Sequence, residues 1–404
     1  MERNVPKLRF KGFNDELKKE KFQNLVTLQR GSSPRPIIKY ITTSEDGVNW
    51  IKIGDVSTGK TFIDKTAEKI TKEGAEKSRK VQVGDLILSN SMSFGRPYIM
   101  KIDGYIHDGW FVLKNYQKNF NREYLCQLLT SPIIQKQYKR LAAGGVVNNI
   151  SSELVNAVIV NVPSLQEQER IANFLTKVDK IIEKQDEKVK NLEKYKKSMM
   201  QKIFSQEIRF RDENGDEYPE WEYCTIKKIC SIKKKSILPK QFPKTNFYEY
   251  SMPAYDKCKE PEFVTGDMMN SSRIELSGPV ILFNKLNVHK KRIWSIKEVN
   301  ENSICSAEFI PIVANSINQD FLYCKLISDQ ITEYVKSIST GSSNSQKRIN
   351  SEDLLNVEIG VPVKDEQEKI SSCIINIESM VLKETEKLKE LKRWKKGLLQ
   401  QMFV

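Results

Sequence analysis

The stretch Gly54-Asp55-Val56-Ser57-Thr58-Gly59-Lys60-Thr61 satisfies the phosphate-loop pattern G-x-x-x-x-G-K-[ST] letter for letter. A phosphate cradle also needs a helix starting directly after the loop, with its N-terminus facing the phosphates, and a later apolar strand ending in a magnesium-holding aspartate. Here Phe62-Ile63-Asp64-Lys65-Thr66 lacks helical periodicity, and no such strand follows. A strand-to-loop turn is therefore preferred to a nucleotide site. His107-Asp108 is the other candidate for acid–base work. Neighbours on a strand point to opposite faces and cannot relay a proton to one substrate, so a structural or DNA-contacting His107 is expected. There is no G-x-G-x-x-G, no Asn/Asp-Pro-Pro-aromatic loop for a flipped base, and no convincing metal-carboxylate set. Seven cysteines form no C-x-x-C pair, and only two histidines, His107 and His289, could join them on zinc. The reading is a non-catalytic, cytoplasmic chain that binds no metal and no cofactor of its own.

The chemistry that remains is recognition of a polyanion. The formal charge is +14 and the pI about 9.2, and each phosphate neutralised by Lys or Arg releases condensed counterions. A lysine-rich solvated surface is the plain alternative. Major-groove readout needs forked donors and amides, Arg for guanine and Asn or Gln for adenine. The first half supplies Arg30-Gly31-Ser32-Ser33-Pro34-Arg35, the run Ser89 to Arg96, and Asn148-Asn149. The second supplies Lys233-Lys234-Lys235, the run Lys285 to Arg292, and Asn344-Ser345-Gln346-Lys347-Arg348. Any one run is usually a solvated face; their recurrence at corresponding places in two halves raises the group above chance.

Something must position two such sets. Ile171, Leu175, Val178, Ile182, Val189, Leu192, Met199 and Ile203 fall on alternating steps of four and three, a coiled-coil seam within one helix over 165–204. Each recurs 199 positions later, as Ile370, Ile374, Ile377, Val381, Leu388, Leu391, Leu398 and Met402. The polar interruptions recur too, Gln185 and Lys196 as Glu384 and Lys395. In an antiparallel pair these four lie at different heights, so they are expected to set register or face a partner, not each other. Leu8-Arg9-Phe10-Lys11 is answered by Ile208-Arg209-Phe210-Arg211, 200 positions on, whereas Gly84 to Asn90 is echoed by Gly278 to Asn284, 194 positions on. The helices keep strict register while the domains drift by loop insertions. Strands are expected at Trp50–Ile53, Lys80–Val83 and Leu86–Leu88, and closing helices at 122–130, 132–143, 319–328 and 330–339, with Gly144 and Gly341 as C-terminal caps. Ser164 with Glu167, and Asp365 with Glu368, have capping-box spacing, which predicts that the second long helix starts one residue late. The fold class is α+β: two mixed α/β domains, over 1–163 and 205–362, joined by helices over 164–204 and 363–404 in an antiparallel coiled coil. Forty residues at ~1.5 Å each make a rod of about 60 Å with a domain at either end, a match for two separated half-sites on DNA. No apolar run approaches a membrane span.

Taken together, these features resemble the specificity subunit (HsdS) of type I restriction-modification systems over nearly the whole chain. The resemblance rests on the repeat, on the joints Asn161-Val162-Pro163-Ser164-Leu165-Gln166-Glu167-Gln168 and Val361-Pro362-Val363-Lys364-Asp365-Glu366-Gln367, and on two kinds of domain phrasing. Those are Trp50-Ile51-Lys52-Ile53-Gly54-Asp55 in one domain and Met252-Pro253-Ala254-Tyr255-Asp256 in the other. The second joint departs from the first in reading Val363-Lys364 for Ser164-Leu165. The resemblance implies two target-recognition domains reading a bipartite site on double-stranded DNA. It also implies two modification (HsdM) subunits carrying S-adenosylmethionine and methylating adenine, and restriction (HsdR) subunits using ATP and Mg. A non-enzymatic DNA-bridging or regulatory protein without a methyltransferase partner is the alternative. With Lys52 and Tyr255, the DNA-contact candidates are Arg30, Arg35, Asn90, Ser91, Ser93, Arg96, His107, Asn148, Asn149, Lys234, Lys285, Asn287, His289, Lys291, Arg292, Gln346, Lys347 and Arg348. Recognition domains vary most in such proteins, so no base contact is transferred.

Overall fold

A computed structural model describes residues 5–56, 61–90, 95–142, 150–341 and 347–404. The candidates Ser91, Ser93, Asn148, Asn149 and Gln346, together with Lys60 and Gly144, lie outside the described residues. The chain divides into two units, Met1–Asp186 with Glu386–Val404, and Glu187–Thr385. Both boundaries fall inside long helices, Leu165–Phe204 and Lys364–Met402.

In the first unit one sheet orders Thr27–Arg30, Trp110–Lys114, Leu86–Ser89, Pro97–Met100 and Phe62–Ile63. Its three central strands are apolar at successive positions because both faces are covered. Leu86, Leu88, Phe111 and Leu113 face the closing helices Arg122–Thr130 and Pro132–Ala142 and the long-helix segments. Ile87, Trp110 and Val112 face Ile51, Val81 and Ile106 of a second five-stranded sheet. The second unit repeats this plan: Ile281 and Phe283 face helices, while Val280 and Leu282 face the other sheet. The other sheet of each unit holds one parallel pairing, Tyr105 on Trp50 and Tyr248 on Ser303. The edge strand Phe62–Ile63, parallel to Pro97–Met100, has no counterpart in the second unit's four-stranded sheet. It is one of the insertions behind the drifting offset.

Each domain is closed by a strand pair, Lys18–Lys21 on Ile159–Val162 and Glu222–Thr225 on Glu358–Val361. The joints then do two things. Glu167 accepts both Nε and N–H2 donors of Arg9 at 2.7 and 2.8 Å, and Glu366 accepts those of Arg209 at 3.2 and 2.9 Å, plus Trp221 Nε1–H at 3.1 Å. The next residue is a clamp. Gln168 accepts the Asn121 N–H at 2.9 Å and donates to the Pro163 carbonyl at 3.0 Å; Gln367 does the same with Asn318 and Pro362, at 2.8 Å each. Asn121 and Asn318 in turn cap the first closing helices. The arginine pairs and these four bonds give the recurring Glu and Gln the same work at both joints.

The seam positions are buried or half-buried throughout, and the helices pair antiparallel within each unit. In the first, Lys395 meets Asp179 at 2.5 Å and Lys392 meets Asp186 at 3.7 Å. In the second, Lys196 meets Glu378 at 3.1 Å and Lys188 meets Glu384 at 2.7 Å. Lys196 and Lys395, alike in the repeat, thus take acids on the facing helix.

Several local expectations need correction. The second long helix begins at Lys364, in strict register with Leu165, because Glu366 is held by Arg209 and Trp221 and the cap is not a box. Ser164 caps the Glu167 N–H at 3.3 Å, but the Glu167 carboxylate goes to Arg9. The strand expected over Trp50–Ile53 is Val48–Ile51. It stops where the Asp55 carboxylate takes the Lys52 N–H at 2.7 Å and starts a 3-10 turn. The strand expected at Lys80–Val83 is Arg79–Val81, ended by Asp85 accepting from Gln82 N–H. The closing helices of the second unit are Gln319–Leu326 and Asp329–Ile338, and Gly341 does not cap the latter. Thr340 beside it is drawn into a bridge with Arg348.

Candidate nucleic-acid interface

The phosphate-loop match does not have phosphate-loop surroundings at either described end. Gly54 sits in the 3-10 turn Ile53–Asp55, the Asp55 carboxylate is occupied by the N–H groups of Lys52 and Ala67, and the segment after Thr61 is a strand. Among the described residues no group of three or more His, Cys, Asp or Glu is placed to hold a metal, and no helix is long and apolar enough to cross a membrane.

In the first unit the separated runs meet at one turn. Residues 107–109 join the strands Gly104–Ile106 and Trp110–Lys114. Gly31 N–H donates to the Trp110 carbonyl, Asn90 N–H to that of Gly109, and Ile150 N–H to that of Asn90. A Cβ on Gly31 would lie 2.1 Å from the His107 carbonyl oxygen, so only glycine allows this approach. Four polar side chains then converge on Asp108. Ser33 Oγ and Arg35 reach its carboxylate at 3.0 and 3.1 Å, while Arg30 Nε and Asn90 Nδ2 donate to its carbonyl at 3.1 and 2.8 Å. Burial raises the Asp108 pKa, but Ser33, His107 and Arg35 outweigh it and hold it below the usual value.

His107 and Asp108 are not neighbours on a strand, which corrects the premise used above. At this turn His107 Nδ1 and Asp108 Oδ1 lie 3.6 Å apart, too far for a hydrogen bond. The imidazole is set between Trp50 and Trp110, with ring centroids 6.2 and 6.4 Å away. Its Nε2 faces the Ile53 N–H at 3.2 Å and its Nδ1 the Gly109 N–H at 2.6 Å. Burial pushes its pKa down, against the pull of Asp108, and two facing N–H dipoles disfavour the cation as well. His107 is a neutral prop for the turn. Of the remaining candidates, Asn90 is 5% exposed, Lys52 is paired with Glu68, and Arg96 lies 5.9 Å from the Tyr98 ring.

The second unit is built the same way from different residues. The equivalent turn, Ala307-Glu308, joins Ser303–Ser306 to Phe309–Ala314. Lys285 N–H donates to the Glu308 carbonyl at 2.8 Å, and Ile349 N–H to that of Lys285 at 3.0 Å, repeating the Asn90 and Ile150 bonds. Arg348 pairs with the Glu308 carboxylate, and Lys285 Nζ donates to the Ala307 carbonyl at 2.8 Å. These residues line a cleft of about 320 Å³ that Thr340, Asn350 and Ser351 complete. Asn287 is left-handed at φ 56° and its N–H donates to the Lys347 carbonyl; Lys347 Nζ is taken by the Lys336 carbonyl. The rest of the basic run is largely tied down: Lys291 to Asp329 and the Ile327 carbonyl, Arg292 in a fork on Asp256. Tyr255 donates to the Lys291 carbonyl, and burial pushes its pKa up to about 12. Lys234 and His289 are exposed, without a partner among the described residues.

Reading the sequence had missed Glu308 and the role of Asp108. Both acids sit at strand-to-strand turns, and the basic residues they hold come from segments tens of residues away.

The sequence profile described as "Type I restriction modification DNA specificity domain" matches residues 17–193 and again residues 218–393. The chain is similar to the type I restriction enzyme MjaVIII specificity subunit of Methanocaldococcus jannaschii, 22% identical over 312 residues, 71% of either chain. It is similar also to the HindI specificity subunit of Haemophilus influenzae, 25% identical over 126 residues, 31% of this chain and 28% of that one. Among solved structures, the type I restriction-modification S subunit from M. genitalium shares its fold, with a TM-score of 0.60 at 16% identity over 99% of both chains. A chain from a structure on complex assembly and conformational transition of the type I R-M system gives 0.58 at 15%, over 96% of this chain and 98% of that one. With two profile matches spanning most of its length, the chain belongs to the specificity subunits of type I restriction-modification systems.

Proposed function

We propose that this chain reads a bipartite DNA site, one half with each recognition domain, and that the long helices fix the unread gap between the halves. Specificity subunits are the non-catalytic members of their complexes; the enzymatic activities belong to partner subunits. The observation that carries the reading is the pair of equivalent turns, the first gathering Arg30, Arg35 and Asn90 and the second Arg348 and Lys285, from distant segments of two diverged domains. The helix Leu165–Phe204 supports the gap-setting role, because it passes without a break from one unit into the other.

The partners are two modification subunits, which carry S-adenosylmethionine and methylate adenine, with restriction subunits supplying ATP- and Mg-dependent work. Support for a partner present twice comes from apolar side chains outside the seam. In the first unit Ile181 and Trp394 are 50% and 46% exposed; in the second Tyr195 and Met380 are 52% and 53% exposed. They are the same two positions of the repeat, and in either unit they flank the Lys–acid pair across the helices. Exposed aromatic anchors of this kind mark protein interfaces.

Mapping methylated adenines in cells that carry this chain should give one asymmetric motif of two specified blocks around an unspecified gap. Exchanging residues 20–160 for those of another such domain should then alter one block only. A continuous motif, or changes in both blocks, would sink the proposal; absence of a co-purifying modification subunit would favour a DNA-bridging protein. Lengthening both long helices by one turn should lengthen the gap while both blocks persist. Loss of either block would separate the helices from gap setting.

A further inference from the structure

Resting on that reading, we propose that Asp108 and Glu308 are specificity determinants. Each holds the guanidinium of a DNA-reading arginine, Arg35 or Arg348, withholding it from phosphate until a matched site offers better acceptors.

The two acids lie at neighbouring positions of the same turn: the backbone bonds place Glu308 where the first unit has Gly109, and Asp108 where the second has Ala307. The arginines they hold do not correspond. Arg35 follows the strand Thr27–Arg30, whereas Arg348 precedes the helix Ser351–Leu355. Each domain thus places an acid on this turn at its own position and supplies the arginine from an opposite end of the domain, as expected if the pairing itself matters and its members vary with the target. Neither pair is a brace. Side-chain exposure is 81% and 40% for Arg35 and Asp108, and 52% and 32% for Arg348 and Glu308, a setting in which ion pairs are weak and readily exchanged.

Charge explains what the exchange accomplishes. A chain of net charge +14 attracts any duplex, and non-specific affinity is almost wholly phosphate neutralisation. An arginine neutralised by a neighbouring carboxylate adds little to it. Guanine presents two acceptors, O6 and N7, to the guanidinium fork, so a correctly placed base can replace the carboxylate while the displaced acid is left to solvent. The acid therefore penalises unmatched DNA more than matched DNA.

The test uses the full chain assembled with its modification subunits, and duplexes with and without the mapped motif, titrated over a range of salt. Asp108→Asn or Glu308→Gln should each raise affinity for the unmatched duplex about five- to tenfold near 0.1 M salt and steepen the log–log salt slope by about 0.9, the value for one freed charge. Affinity for the matched duplex should change less than about twofold, so discrimination falls. Arg35→Met, with the acid in place, should weaken matched binding and leave unmatched binding unchanged. In Asp108→Asn with Arg35→Met, the salt slope should return to the parental value. An unchanged slope in the acid variants, or equal losses on both duplexes with a lowered melting temperature, overturns the proposal. A parent complex without sequence preference sinks the specificity reading and this inference with it, whereas a selective parent whose acid variants behave like it overturns the inference alone.

Discussion

Replacing Glu366 by alanine is expected to destabilise the second unit by about 3 kcal/mol, the low end for breaking one side of a buried ion pair. The Glu366 side chain is fully buried and Arg209 is 19% exposed, so the guanidinium left behind reaches little water. Trp221 Nε1–H loses its acceptor at the same time, a further cost of the same sign. For a unit of this size the shift corresponds to roughly 6–12 °C in melting temperature. Calorimetry of the purified chain should show that loss in one transition. Glu167→Ala should cost less, because Glu167 serves Arg9 and no tryptophan. A shift under about 2 °C for Glu366→Ala would show that the joint is held by the glutamine clamp alone.

Lys325→Leu is expected to act in the opposite direction. Lys325 is 3% exposed, donates to Gln330 Oε1 at 3.1 Å and lies 4.7 Å from the Phe204 ring and 5.9 Å from that of Trp221. Burial pushes its pKa down to about 8 from 10.5. A lysine whose folded pKa is depressed costs stability wherever it must be charged. The cost is complete below pH 8, shrinks as pH rises from 8 to 10.5, and is absent above. Part is returned by the two aromatic faces, so the substitution should stabilise the second unit at pH 7 by about 1–2 kcal/mol. The first unit has Leu128 in the matching place, which shows that leucine suits this packing. Melting curves at pH 7 and pH 9.5 check the sign, since the advantage of leucine should narrow at the higher pH. A variant less stable than the parent at pH 7 would mean that the aromatic cage outweighs desolvation.

The long helices were legible in the sequence because a seam of eight apolar positions over forty residues has only one period that fits, and its recurrence 199 positions later named the partner. The joints were legible as repeated letters, but not as clamps: what Gln168 holds, Asn121, is brought to it by the fold. The turns at Asp108 and Glu308 were less legible still. Arg30, Arg35 and Asn90 stood out by type, yet what gathers them is Asp108 and the backbone of residues 106–110. An acid among basic runs carries no signal of its own until the turn that presents it is formed. The helix start at Lys364 was misjudged for the same reason. Local capping geometry favoured one register, and a tertiary ion pair to Arg209 settled another.

The strand pairs that close the domains have a consequence for descent. Lys18–Lys21 lies directly against Ile159–Val162, and Glu222–Thr225 against Glu358–Val361, so the chain enters and leaves each domain at adjacent backbones about 4.8 Å apart. Whatever lies between can lengthen, shorten or be replaced outright without moving those two short flanks. A segment exchanged between the flanks would bring its own acid, arginine and turn at once. Point substitution would have to rebuild acid, arginine and turn together.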